Sequence, residues 1–249
     1  MEKLVYQKPE TIKDDFVFTF CSGCDHGVAI KLVAEVIDEL GVRENTIAVS
    51  SIGCSVFFDD YMNLDIIEAP HGRALAAATG VKRSKPNKVV FTYQGDGDFA
   101  SIGIAESIHA FTRSEKVTAI CINNTTYGMT GGQLGPTTLV GQVTTTSPNG
   151  RNVERYGYPL KIAEIMSQID GAAYVARVSL DSPQAILKAR ESIKRAFEVQ
   201  LKGLGAGFVE ILATCPTNWK MTPAESHKHV RETLIKTFVP KVFKNLMEN

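Results

Sequence analysis

The chain has 249 residues and a formal net charge of zero, with 27 Lys and Arg against 27 Asp and Glu. That length suits one large α/β domain or two small ones, and the even charge balance argues against an electrostatic nucleic-acid binder. No apolar run reaches membrane-spanning length, the N-terminus lacks the pattern of a secretion signal, and five cysteines do not suit a disulfide framework, so a cytoplasmic location is expected.

Residues 1–15 are polar and read as an arm over the surface or a partner. Phe16-Val-Phe-Thr-Phe20 is apolar and strand-like and leads into Cys21-Ser-Gly-Cys24 and then Asp25-His26-Gly27. Ile30, Val33, Val36, Ile37 and Leu40 recur at helical spacing and predict a helix over about 28–40. Residues 46–51 predict a strand that ends at Ile52-Gly53-Cys54, and 59–68 a loop and short strand. His71-Gly72-Arg73 opens an alanine-rich helix over 74–81, whose small side chains permit close packing. Residues 82–88 form a basic, proline-containing turn.

Residues 88–93 predict a further strand, and Gln94-Gly-Asp-Gly-Asp98 follows it directly. Phe99, Ile102, Ala105, Ile108 and Phe111 share one face of a helix over 99–113. Residues 117–122 predict the next strand, followed by Asn123-Asn-Thr-Thr-Tyr-Gly-Met-Thr-Gly-Gly-Gln133. Residues 127–158 are rich in Gly, Thr and Pro and show little periodicity; so long a structureless stretch in a compact domain is usually functional. Beyond it come a helix over 160–169, a strand over 172–178 and a long amphipathic helix over 183–200 opened by Asp181-Ser182. A strand over 207–212 leads to Cys215-Pro216, a loop carrying the only Trp, and a basic, mostly helical tail over about 222–249.

Strand, helix and strand over 88–122 form a βαβ unit, so the loops that leave its two strands lie side by side. Asp96 and Asn124 are then neighbours in space. Glycines beside Asp96 and a helix start near Asp98 suit an anion, while Asp96, Asn124 and the Thr126 carbonyl offer oxygens to Mg²⁺. Two other readings compete. Gly95-x-Gly97-x-x-Ala100 fits a dinucleotide fingerprint, but the following strand ends in Asn123-Asn124 where that fold wants an acid. An EF-hand would need glycine where Ser101 stands. The bland alternative is a glycine-rich turn with no ligand.

The cysteines divide four to one. Cys21, Cys24, Cys54 and Cys215 lie on predicted loops, whereas Cys121 lies within a strand and reads as a small buried hydrophobe. Four loop thiolates suit Zn²⁺ or a 4Fe–4S cluster, and spacing alone does not choose between them.

The GDG turn, a spacer and NN resemble the thiamine diphosphate (TPP) motif of TPP-dependent enzymes. NNTTYGMTGGQ narrows the resemblance to the β subunits of the 2-oxoacid:ferredoxin oxidoreductases, the group acting on 2-oxoglutarate or branched-chain 2-oxoacids, over roughly residues 16–220. The resemblance implies a single α/β TPP-binding domain over 1–249, with a mostly parallel sheet flanked by helices. It puts Gly95, Asp96, Gly97 and Asp98 at the diphosphate, with Gly72 nearby, and Asp96, Asn124 and Thr126 on Mg²⁺. Thr130 and Gln133 become candidates for cofactor or substrate contact, in a loop closing over the cofactor and touching a partner. His71 is a candidate for catalysis, its bland reading a helix-capping residue. His26 would stand near a cluster, and His109 reads as structural.

In that family a 4Fe–4S cluster is bound by CxxC, a Cys in a GC-type loop and a distant Cys before Pro; Cys21, Cys24, Cys54 and Cys215 match these places. The family often has Pro and Gly where this chain has Ser22 and Asp25, and the Asp25 charge would lower the cluster potential. The resemblance implies oxidative decarboxylation of a 2-oxoacid to acyl-CoA and CO₂, with electrons passed to ferredoxin. TPP enzymes also need a domain that grips the pyrimidine, and none is found here. A pyrimidine-binding α subunit, with further small subunits including a ferredoxin-like one, is therefore expected. Two alternatives are a subunit of a non-redox TPP decarboxylase and a non-catalytic metal-binding module.

Overall fold

The computed structural model describes residues 7–248. In chain order its regular elements are α1 (His26–Glu39), β1 (Thr46–Ser51), α2 (Phe58–Tyr61), β2 (Asp65–Ala69), α3 (Ala74–Ser84), β3 (Val89–Gly95), α4 (Ile104–Thr112) and β4 (Thr118–Asn123). Next are β5 (Thr126–Tyr127), β6 (Gln133–Leu134), α5 (Val153–Tyr156), α6 (Ile162–Ser167), β7 (Ala172–Ser179), α7 (Pro183–Leu201) and β8 (Ala206–Leu212). The chain continues through α8 (Pro216–Trp219), α9 (Pro223–His229), α10 (Ile235–Thr237) and β9 (Lys241–Asn245).

Seven strands form one sheet in the order β2-β1-β3-β4-β8-β7-β9, in which only β9 runs antiparallel to its neighbour. Strands buried on both faces carry apolar side chains on both, and the period of two divides them. Phe91, Tyr93, Ile120, Ile122, Val209 and Ile211 pack with α1 and α7. Val90, Ala119, Cys121 and Phe208 pack with α3, α4 and α6 on the other side. Among the described residues no helix is long and apolar enough to cross a membrane.

This topology positions the site. From β1 the chain moves outward to β2, and from β3 it moves the other way to β4. The strand order thus reverses between β1 and β3, and the carboxyl ends of those strands flank a crevice of the kind where open α/β sheets bind ligands. The same edge receives the turns that follow β2, β4 and β8. The register places Gly95 beside Ile122, so the turns after β3 and β4 are adjacent, as the βαβ reading requires.

Several expectations need correction. Residues 16–20 are not a strand. Their aromatic side chains settle on other rings, Phe16 on Tyr61 at 5.0 Å and Phe20 stacked on His26 at 4.9 Å, and the Thr19 N–H donates to the Tyr61 hydroxyl. The arm over 7–15 is pinned to the chain's own surface, with Thr11 bonded to Asp38 and the Lys13 ammonium donating to the Asp59 carbonyl; residues 1–6 lie outside the described part. The helix after the GDGD turn opens with a π turn over Asp98–Ile102 and restarts after Gly103. That resets its phase, so Ser107, Ala110 and Phe111 are buried while Ile102 and Ala105 face outward.

The stretch over 127–158 is not structureless, and the tail is not helical throughout. The tail helices stop at Thr237; Pro240 prevents their continuation, and Val242 and Phe243 suit the strand β9, which covers the outer edge of β7.

Candidate functional site

Asp96 stands at the crevice with 2% of its surface exposed. Burial pushes its carboxyl up to about 7, against hydrogen bonds from the Thr137 hydroxyl and the Gly97 N–H. Glu210 raises it further. Asp96 is thus a desolvated carboxylate without a cationic partner among the described residues, which is what a divalent cation would complete. A side chain at Gly97 would meet the Tyr127 ring at 2.2 Å, whereas a Cβ at Gly95 would meet nothing within 4 Å. One glycine admits the Tyr127 ring and the other leaves open space beside Asp96, which suits a diphosphate.

The second aspartate of the turn has different surroundings. The Asp98 carboxylate accepts from Ser51 Oγ at 2.8 Å, the Gly72 N–H at 2.6 Å and the Gln94 side-chain amide, and His71 Nδ1 lies 2.5 Å away. It therefore ties together the chain ends after β1, β2 and β3, with its oxygens engaged by the chain itself. His71 is oriented by this contact and stands edge-on to Tyr127 at 6.5 Å. His109 is exposed on α4.

On the β4 side, Asn124 and Thr126 belong to a turn of unusual backbone. Thr125 has φ +61°, a conformation that costs a β-branched residue about 1–3 kcal/mol. Three bonds hold it. Its N–H donates to Asn123 Oδ1, its carbonyl accepts from Thr138 Oγ1 and its hydroxyl accepts from Gln142 Nε2. Asn124 Oδ1 accepts from the Thr126 N–H. Behind the turn, Asn123 Nδ2 donates to Glu210, which is paired with the fully buried Arg177 at 2.8 Å. Arg177 also bonds Glu164. Thr130 and Gln133 bond each other at an exposed bend.

Arg151 organises the long stretch over 127–158. It is 5% exposed, and its guanidinium donates to the carbonyls of Gly135, Pro136, Thr138, Tyr156, Gly157 and Tyr158, with no carboxylate partner among the described residues. Thr137, which bonds Asp96, lies between two of those carbonyls. Arg151→Met is expected to cost on the order of 3 kcal/mol, because several buried acceptors lose their donor together. Amide exchange should rise first across residues 134–158, and exchange unchanged there would contradict this role.

The four loop cysteines converge from distant parts of the chain. The Thr214 N–H donates to Asp25 at 2.9 Å and the Thr214 hydroxyl to the Gly23 carbonyl at 2.6 Å, which ties the Cys21–Cys24 turn to the turn carrying Cys215. Burial pushes the Cys24 thiol up to about 12, helped by the nearby charges of Cys215 and Cys54. Burial likewise pushes Cys54 up to about 11, helped by Cys215 and Cys21. Cys121 is fully buried and packs with the α3, α4 and α6 side of the sheet, whereas Cys24 and Cys54 pack with the α1 and α7 side.

Among the described residues no three His, Cys, Asp or Glu side chains are gathered closely enough to hold a single metal ion. Four mutually sensing thiols with soft donor chemistry fit a group larger than one ion. His26 lies beneath them, its Nδ1 2.8 Å from the Tyr93 hydroxyl, and its burial pulls its pKa down to about 4.

The two groups of residues meet at Gly128. A methyl group added there would lie 3.4 Å from Cys54 Sγ, 3.5 Å from Asn124 Nδ2 and 3.6 Å from Asn218 Nδ2. Reading the sequence did not single out Thr137, Arg151, Glu210 or Asn218. Only Asn218 had a local signal, a polar residue three places after Cys215 on a turn opened by proline.

A family model described as thiamine pyrophosphate enzyme, C-terminal TPP binding domain, matches residues 51–210. The chain is 42% identical to the ketoisovalerate oxidoreductase subunit VorA of Methanothermobacter thermautotrophicus, an alignment covering 98% of this chain and 53% of that protein. It thus spans about half the length of that relative. It is 41% identical to the 2-oxoglutarate synthase subunit KorB of Archaeoglobus fulgidus, over 86% of this chain and 75% of that one. A solved 2-oxoglutarate:ferredoxin oxidoreductase from Magnetococcus marinus, with 2-oxoglutarate, coenzyme A and succinyl-CoA bound, superposes with a TM-score of 0.77. That match has 28% identity and covers 92% of this chain and 74% of that one.

Proposed function

This chain belongs to the family of β subunits of the 2-oxoacid:ferredoxin oxidoreductases, and on that premise we propose that it is the catalytic subunit of such an enzyme, converting a 2-oxoacid and coenzyme A to acyl-CoA and CO₂ with electrons leaving to ferredoxin. The observation that carries the proposal is the meeting, at one sheet edge, of a dehydrated, cation-seeking carboxylate and four mutually close cysteines. A non-redox decarboxylase would leave that gathering of thiols without a role.

Asp96, Asn124 and the Thr126 carbonyl would hold Mg²⁺, with the diphosphate lodged in the space beside Gly95. Cys21, Cys24, Cys54 and Cys215 would hold a 4Fe–4S cluster. Thiamine diphosphate, when bound, supplies the electron sink for loss of CO₂ from the 2-oxoacid. The chain itself does three things. Thr137 and the Gly97 N–H orient the Asp96 carboxylate. Asp98 fixes His71 at the crevice wall, where its ring would meet substrate. The strained turn at Thr125 aims Asn124 and Thr126.

A partner subunit would grip the pyrimidine and close the crevice, and the assembled enzyme would work in the reducing cytoplasm. The test is turnover with 2-oxoglutarate, 3-methyl-2-oxobutanoate and pyruvate, coenzyme A and a low-potential acceptor, using this chain with and without the co-purified partner. Activity is expected only in the assembled complex, and the preferred acid assigns the substrate. Full turnover by this polypeptide alone would refute the need for a partner.

A further inference from the structure

Asn218 sits on the short helix α8, three residues after Cys215, and its side-chain nitrogen makes two contacts of different kinds. Asn218 Nδ2 lies 3.1 Å from Cys215 Sγ and 2.9 Å from the carbonyl oxygen of Gly128. An amide NH₂ carries two hydrogens, one for each acceptor. The first acceptor belongs to the cysteine group and the second to the turn that also carries Asn124 and Thr126. The fit is close on the other side as well. Gly132 has φ +80°, and a Cβ there would stand 2.9 Å from Asn218 Oδ1 and 3.1 Å from its Cβ, so the loop passes Asn218 at this distance only as glycine.

We propose that Asn218 is a positioning residue that sets the reduction potential of the cluster held by the four cysteines, donating one N–H to the Cys215 sulfur while its other N–H is anchored on the cofactor-binding turn at Gly128. The proposal rests on the cysteine reading above. A donor to a ligating sulfur stabilises the reduced, more negative form of a cluster, and so raises its potential. The anchor at Gly128 holds the amide in the orientation that the sulfur bond needs. Asn218 thereby links the group that takes up electrons to the loop beside the cofactor from which they come.

The experiment is a redox titration of the assembled complex, followed by electron paramagnetic resonance, for the native protein, Asn218→Leu, Asn218→Asp and Thr217→Ala. Asn218→Leu removes the donor in a similar volume and should shift the midpoint potential downward with iron content and TPP binding kept. Asn218→Asp removes the donor and adds negative charge, and should shift it further. Thr217→Ala, an exposed position on the same helix, should leave it unchanged. A native potential in an iron-replete Asn218→Leu complex would overturn the proposal.

A second measurement needs no variant. Asparagine labelled with ¹⁵N only in its side-chain amide should give a nitrogen coupling to the reduced cluster in the native complex, and the absence of that coupling would overturn the proposal. A native complex devoid of iron and sulfide would instead defeat the reading of the four cysteines and the role of Asn218 with it.

Discussion

Asp96→Asn is expected to abolish retention of thiamine diphosphate and Mg²⁺ while the fold survives. The substitution keeps the shape and removes the carboxylate beside the open space at Gly95, the Asp98 carboxylate of the same turn being engaged by Ser51, Gly72 and Gln94. Loss of groups that merely support metal ligands costs about 10–100-fold in affinity, so loss of the charged ligand itself should exceed about 100-fold. Survival of the fold follows from burial. Asp96 is 2% exposed, and burial raises its pKa to about 7. A carboxyl whose folded pKa lies above its unfolded one opposes folding, and the cost grows as pH rises from the ordinary carboxylate range to about 7 and is constant beyond. Freed of cofactors at pH 8, Asp96→Asn should therefore melt at or above the native temperature. Calorimetric titration of TPP with Mg²⁺, beside thermal melts, reads both arms. Native affinity in the variant would remove Asp96 from the site, and a collapsed fold would show that the carboxylate is structural.

Replacing Cys21, Cys24, Cys54 or Cys215 singly with serine should strip most of the iron and stop electron transfer to ferredoxin. The native protein, purified without oxygen, should be brown, with this chain itself accounting for about four iron and four sulfide per copy. Binding of TPP should persist in each variant, since Asp96, Asn124 and Thr126 lie on other turns. Cys121→Ala is the contrasting case. Its side chain is fully buried among the α3, α4 and α6 contacts, so the variant should keep its iron and lose on the order of 1 kcal/mol of stability from a small cavity. A colourless native protein with one zinc per chain would overturn the redox reading. Iron lost from Cys121→Ala and retained in Cys215→Ser would overturn the choice of ligands.

Legibility followed the kind of physical signal that each residue carries. The parallel core strands announced themselves as short apolar runs, and β1 has the predicted limits. The GDG and NN turns were legible because glycine and asparagine at strand ends restrict the chemistry that can follow. Thr137 and Arg151 were hidden because they act through backbone carbonyls and hydroxyls, and such bonds leave no period in a sequence. Glu210 and Arg177 pair across neighbouring strands, so neither has a local signature. The π turn at Asp98–Ile102 shifted the helical face by less than a turn, which a spacing of three and four residues cannot register.

The ties from Thr214 to Gly23 and Asp25 have a consequence in time. The Cys21–Cys24 turn leaves the ribosome well before Thr214, the residue after β8 that ties it to the rest of the site through two hydrogen bonds. At a synthesis rate of about 5–20 residues per second, roughly ten to forty seconds separate the emergence of Cys21 from that of Cys215. During that interval the first two thiols have the local Cys24 N–H to Cys21 carbonyl bond but lack the ties from Thr214. A cluster held by all four cysteines, as proposed above, would therefore be completed only after Cys215 has emerged behind β8.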